Sequence, residues 1–104
     1  MSGTIPTNIG LLTKLTHVNL GYNKLTGGIP SSIGELSMLH TLLLSTNQLT
    51  GSIDNSFCAL NSSLLWLDVT NNNLKCYPVC LSDVTTFPTD FVVTINGKQD
   101  TFNT

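Results

Sequence analysis

The chain has 104 residues, a formal net charge of −2 and only 10% charged residues, which leaves room for one small domain. Its four basic residues, Lys14, Lys24, Lys75 and Lys98, cannot form a patch that neutralises several phosphates. That argues against nucleic acid as a partner and equally against a polybasic membrane anchor. The longest aliphatic runs, such as Leu42-Leu43-Leu44, are far too short to span a bilayer, and the opening Met1-Ser2-Gly3-Thr4-Ile5-Pro6 lacks the basic and apolar regions of a secretion signal.

Repetition governs the rest. Gly3-Thr4-Ile5-Pro6-Thr7-Asn8-Ile9-Gly10 matches Gly27-Gly28-Ile29-Pro30-Ser31-Ser32-Ile33-Gly34, so residues 3–11 are the second half of a repeat whose strand is missing. The first full repeat starts at Leu12 and places Leu15, Val18, Leu20, Asn23, Leu25, Gly27 and Ile29 in a pattern that recurs 24 positions on. The second, from Leu36, answers with Leu39, Leu42, Leu44, Asn47, Leu49, Gly51 and Ile53, and Ile33 is followed by Phe57. A last repeat, from residue 60, carries Leu64, Leu67, Val69, Asn72 and Leu74 at a spacing of 25; the extra residue falls in Asn61-Ser62-Ser63.

Each copy divides its labour physically. Apolar residues two apart around Val18-Asn19-Leu20 point to one face of a short strand. Such a strand cannot bury its apolar face alone, but stacked about 4.8 Å from its neighbours it joins a parallel sheet with a continuous interior. The amides of Asn23, Asn47 and Asn72 can donate and accept where the chain leaves the strand; losing one would cost about 1–3 kcal/mol. Pro30 disfavours a regular helix after the turn, so irregular or 3₁₀ turns are expected on the outer face.

The pattern L-x-x-L-x-x-L-x-L-x-x-N-x-L-x-G-x-I-P resembles the plant-type leucine-rich repeat of receptor-kinase ectodomains, receptor-like proteins and polygalacturonase inhibitors. It covers roughly residues 3–82, departing where Cys76 replaces the glycine of the last copy. The resemblance implies an α/β-type solenoid, a right-handed superhelix with a parallel sheet on its concave side and 3₁₀ turns on its convex side. It also implies a protein-binding module, not an enzyme, with no cofactor.

Both ends depart from the array. No N-terminal cap precedes residue 3, so a fragment of a longer receptor-like or secreted protein is expected. The alternative is a short chain whose open end is covered by a partner or by self-association with a second copy. Residues 83–104 form a flanking segment. Phe91-Val92-Val93-Thr94-Ile95 reads as a strand, Asn96-Gly97 as a type I′ turn, and residues 98–102 as a possible return strand of a capping hairpin.

Three cysteines allow at most one internal bridge. Cys76 and Cys80 lie four apart around Pro78, close enough in a turn to bond, with a small-loop gain of about 2 kcal/mol. Cys58–Cys80 is the rival pairing, and three reduced thiols the third option. No second ligand pair supports a zinc site, so no metal is expected. Asn61-Ser62-Ser63 is an N-glycosylation sequon; with the cysteines and the resemblance it favours an extracellular or cell-surface setting over a cytoplasmic one.

The concave columns hold the candidate ligand-binding residues: His17, Thr41 and Trp66; Asn19, Leu43 and Asp68; Gly21, Ser45 and Thr70; Tyr22, Thr46 and Asn71. Trp66, Tyr22 and Leu43 are the expected anchors, with His17 and Asp68 giving polar specificity to a protein, peptide or polysaccharide ligand. Exposed apolar residues scattered over three strands would, however, look similar without any ligand. His17 and His40 fall at different strand phases and Asp68 lies two strands from His17, so no nucleophile–base set forms. An intracellular repeat scaffold is the alternative function. Adsorption to a surface such as ice is weaker still, because Lys75 interrupts the column begun by Thr26 and Thr50.

Overall fold

The computed structural model describes residues 2–60, 63–78, 80, 92–94 and 101–103. The chain winds as a coil in which each turn contributes one strand to each of two parallel sheets and a 3₁₀ segment between them. In chain order the strands are β1 (Ser2–Thr4), β2 (His17–Asn19), β3 (Lys24–Gly27), β4 (Thr41–Leu43), β5 (Gln48–Ser52), β6 (Trp66–Asp68), β7 (Asn73–Pro78), β8 (Val92–Thr94) and β9 (Thr101–Asn103). One sheet has the order β2-β4-β6-β8 and the other β1-β3-β5-β7-β9.

The 3₁₀ segments are Thr7–Leu11, Ser31–Glu35 and Asn55–Leu60. Pro6 and Pro30 open the first two in extended geometry, and their carbonyls accept from Ile9 N at 3.1 Å and Ile33 N at 3.2 Å. Asp54 takes the proline's place in the third turn. Its carboxylate caps the segment by accepting from Ser56 N at 2.9 Å. Gly10 and Gly34 allow adjacent segments to touch: a Cβ on Gly34 would lie 2.5 Å from the Ser56 carbonyl oxygen. Across the same contacts, Ser32 Oγ donates to Thr7 O at 2.7 Å and Ser56 Oγ to Ser31 O at 2.9 Å.

Every inward position repeats its chemistry from turn to turn. Val18, Leu42 and Leu67 stack under the first sheet, in register as Val18↔Leu42↔Leu67. Leu25, Leu49 and Leu74 occupy the equivalent position in the second, and Ile5, Ile29 and Ile53 follow it. No described polar or charged residue is fully buried. Burial deepens along the stack: Ile9, Leu15 and Leu20 are only partly buried, whereas their equivalents Ile33, Leu39 and Leu44 are 0% exposed. Each such leucine removed from water stabilises the coil by about 1.5–3 kcal/mol, and only neighbouring turns supply that burial.

The side-chain amides tie successive turns together. Asn47 Nδ2 donates to Leu44 O at 3.1 Å within its own turn and to Leu20 O at 2.9 Å in the turn before, while its Oδ1 accepts from Leu25 N at 3.1 Å. Asn72 repeats the set on Val69 O, Leu44 O and Leu49 N. Asn23 donates to Leu20 O and Gly21 O. All three are half-buried, and the residue before each takes an unusual backbone conformation. Tyr22, Thr46 and Asn71 hold that place with φ of 57°, 57° and 56°, the left-handed region that side chains avoid.

Three expectations change. The bridge is Cys58–Cys80, with Cα atoms 5.9 Å apart, not Cys76–Cys80. Cys76 lies within β7, which stays extended as far as Pro78, so the turn centred on Pro78 that the Cys76–Cys80 pairing requires is not formed. The C-terminal strands do not pair with one another as a hairpin. β8 adds to β6 and β9 to β7, both parallel, so they prolong the two sheets; Asn96 and Gly97 lie outside the described residues. Finally, the segment from Leu25 to Gly27 is a strand of the second sheet rather than irregular, because its backbone pairs with the turns on either side.

Candidate functional site

The sheet β2-β4-β6-β8 presents alternate residues away from the core, and its register fixes which of them adjoin. His17 pairs with Thr41 and Thr41 with Trp66; Asn19 pairs with Leu43 and Leu43 with Asp68. Trp66 is 43% exposed, while Leu43 and Asp68 are half-buried between their neighbours. Tyr22 is the most open large apolar residue among those described, at 81%, but it stands in the turn after β2 rather than on the strand, at the margin of the face.

Two polar residues on this face brace their own turns. Asn19 Oδ1 accepts from Gly21 N at 3.1 Å, and Asp68 Oδ1 accepts from Thr70 N at 3.1 Å and from Thr70 Oγ1 at 2.8 Å. No described lysine forms an ion pair with Asp68. The structure also brings together two residues that the strand periodicity separates. His40 precedes β4, yet its ring lies 6.1 Å from that of His17 in an edge-to-face arrangement, because His40 N and Thr41 N both donate to Thr16 O and draw the strand ends together. His17 Nδ1 lies 3.0 Å from Thr16 Oγ1. Among the described residues no group of three metal-ligating side chains converges.

On the opposite side, Asp54 is held below its ordinary value. The Ser56 backbone N–H, and then its side chain, lower the carboxyl below 3.8. It is fully exposed and serves the turn. The second sheet pairs Thr26 with Gln48, so threonines do not continue as a ladder there. At the open first turn Leu11 and Leu12 are 75% and 55% exposed, beside a groove of about 600 Å³ lined by Ile5, Pro6, Ile9, Leu20 and Leu25. Asn61 of the sequon lies outside the described residues, and no described helix is long and apolar enough to cross a membrane.

Paired parallel sheets, an asparagine ladder and 3₁₀ turns define a solenoid of leucine-rich repeats. The family model described as Leucine Rich Repeat matches residues 14–36 and 38–60. Among solved structures, the chain is 33% identical to a chain of the BIR3–SERK2 complex from Arabidopsis thaliana, with a TM-score of 0.73, covering 99% of this chain and 52% of that one. It is 32% identical to the BIR2 ectodomain from Arabidopsis thaliana, with a TM-score of 0.76 and coverage of 93% and 52%. The plant peptide hormone receptor RGFR1, in complex with RGF2, is 35% identical with a TM-score of 0.75, covering 96% of this chain and 15% of that one. The chain thus spans about half the length of the first two and a small part of the third. No curated protein matches its sequence. The chain thus carries leucine-rich repeats over residues 14–60 and is similar in fold to plant receptor-kinase ectodomains.

Proposed function

We propose that this chain is a non-enzymatic recognition module that binds a protein or extended peptide across the sheet β2-β4-β6-β8. The observation that carries it is the open face itself: Trp66 exposed at its centre, Leu43 and Asp68 beside it, His17 and Asn19 along one edge, and Tyr22 at the margin. Tryptophan and tyrosine give large contact area at little cost in side-chain entropy, which is why they anchor interfaces. Complexes among the structural neighbours, such as RGFR1 with RGF2, support the same reading by analogy. The Cys58–Cys80 bridge supports an oxidising, extracellular setting, since disulfides persist there and are rare in the cytosol.

The test is selection of binders from a display library of short random peptides on the immobilised full chain. Peptides so obtained are expected to lose binding to Trp66→Ala, with the circular dichroism unchanged, and to keep it on Gln48→Ala in the opposite sheet. Retained affinity on Trp66→Ala, or loss on Gln48→Ala, would remove the concave face as the site. For the setting, intact mass of source protein after alkylation without reduction should show one alkylated thiol and a glycan on Asn61. Three alkylated cysteines and no glycan would place the chain in a reducing compartment.

A further inference from the structure

We infer that the concave face selects a peptide by a basic side chain, lysine or arginine, seated over the Trp66 indole and against the Asp68 carboxylate. This rests on the reading of that face as the binding surface. Asp68 is the only charged residue in the outward positions of β2, β4 and β6. It is half-buried, and no described lysine pairs with it. Its hydrogen bonds to Thr70 use Oδ1 alone and leave Oδ2 without a partner among the described residues.

The charge is surplus to the fold. In the first turn Asn19 occupies the equivalent position and makes the same bond, Oδ1 accepting from the backbone N–H two residues on, at the same 3.1 Å. A neutral amide oxygen is therefore enough to brace the turn, and the formal charge at position 68 serves something else. Partly burying a carboxylate costs free energy unless a cation meets it. Trp66 stands two residues away on the same face, about 6.6 Å along the strand, and its exposed ring offers a π-surface. A guanidinium or ammonium group stacked within about 6 Å of that ring reaches the free carboxylate oxygen as well. Leu43, in register with Asp68, gives the aliphatic stem of such a side chain an apolar wall. The chain's net charge of −2 likewise favours a cationic partner.

The same peptide selection, run in parallel on wild type and on Asp68→Asn, tests this. Asp68→Asn retains the oxygen that accepts from Thr70 and so keeps the fold. A basic residue is expected at one fixed place in wild-type binders. A selected peptide with that residue replaced by citrulline or norleucine should bind about tenfold more weakly to wild type, and lose clearly less on Asp68→Asn, where only the indole still meets the cation. Titration can be followed by fluorescence of Trp66, the single tryptophan. Binders that need Trp66 but carry no basic residue would overturn the cation preference and leave the concave-face reading standing. A basic preference of the same size on Asp68→Asn as on wild type would overturn the role of the carboxylate. Binders indifferent to both Trp66→Ala and Asp68→Asn would overturn both readings.

Discussion

Replacing Asn47 by alanine tests whether the amide ladder or the apolar stack couples the turns. This side chain accepts from the Leu25 N–H at 3.1 Å and donates to the carbonyls of Leu20 and Leu44 at 2.9 and 3.1 Å. The two carbonyls also accept from Asn23 and Asn72, so alanine leaves the Leu25 N–H as the group without this partner. Orphaning a fully buried group costs about 1–3 kcal/mol each. The ladder is only half-buried, so water can reach part of it, and with one N–H orphaned and two carbonyl bonds lost the cost is expected to be about 1–2 kcal/mol. Against a total stability of about 5–15 kcal/mol for a small domain, that is a large fraction. Urea unfolding followed by circular dichroism and Trp66 fluorescence reads it as a lowered midpoint. Asn47→Asp separates the donor from the acceptor: it keeps an oxygen for Leu25 N but turns a carboxylate toward two carbonyls, so it should be destabilised at neutral pH as well. Gln48→Ala, exposed on the next residue, should stay within about 0.5 kcal/mol. If Asn47→Ala also stays within 0.5 kcal/mol, or Asn47→Asp matches wild type, the ladder does not couple the turns and the reasoning fails.

Four other outcomes follow from the same geometry. Reducing the Cys58–Cys80 bridge, or Cys58→Ser, opens a link across a separation of 22 residues and should cost about 3 kcal/mol, seen as a lower urea midpoint in the presence of reductant. Gly34→Ala puts a methyl 2.5 Å from a backbone oxygen of the next turn and should lower stability by about 1–3 kcal/mol; an unchanged melting temperature would mean that the 3₁₀ segments do not touch there. Thr46→Asn relieves a β-branched residue from φ of 57° and should stabilise by about 0.5–1 kcal/mol, since Asn71 already holds the equivalent place in the next turn. The hydrogen bonds from Ser56 hold the folded Asp54 carboxyl below its ordinary value, so its contribution is present at neutral pH and is lost as acid protonates it. The stability difference between wild type and Asp54→Asn should therefore be present at neutral pH and fade below pH 3.8.

The first sheet was legible because a period of two and a period of 24 coincide at Val18 and Leu42, and because an asparagine recurs at one phase. The second sheet was not. β3 places only Leu25 inward and contains Gly27, too little for a strand pattern, and its hydrogen bonds come from adjacent turns. Cysteine spacing misled for the same reason. Four residues suit a turn, but continuation of β7 through Cys76 depends on the neighbouring strand, and only the coil brings Cys58 to Cys80. The approach of His17 and His40 arises from hydrogen bonds to Thr16 O that alternation alone does not encode.

The repetition also indicates where to look for function. Inward columns hold nearly one residue type, Leu25, Leu49 and Leu74 for instance, because each turn must fit the one before it. Outward columns are under no such demand, and here they vary: His17, Thr41 and Trp66 share one column, and Asn19, Leu43 and Asp68 another. A solenoid stable on its inward columns tolerates any outward residue, so stability does not account for an indole and a charge placed two residues apart on one strand. Where the backbone task is demonstrably met by Asn19, the acid at position 68 adds a charge without adding to the fold. Irregularity within an otherwise regular column is therefore the physical mark of recognition, and in this chain it converges on β6.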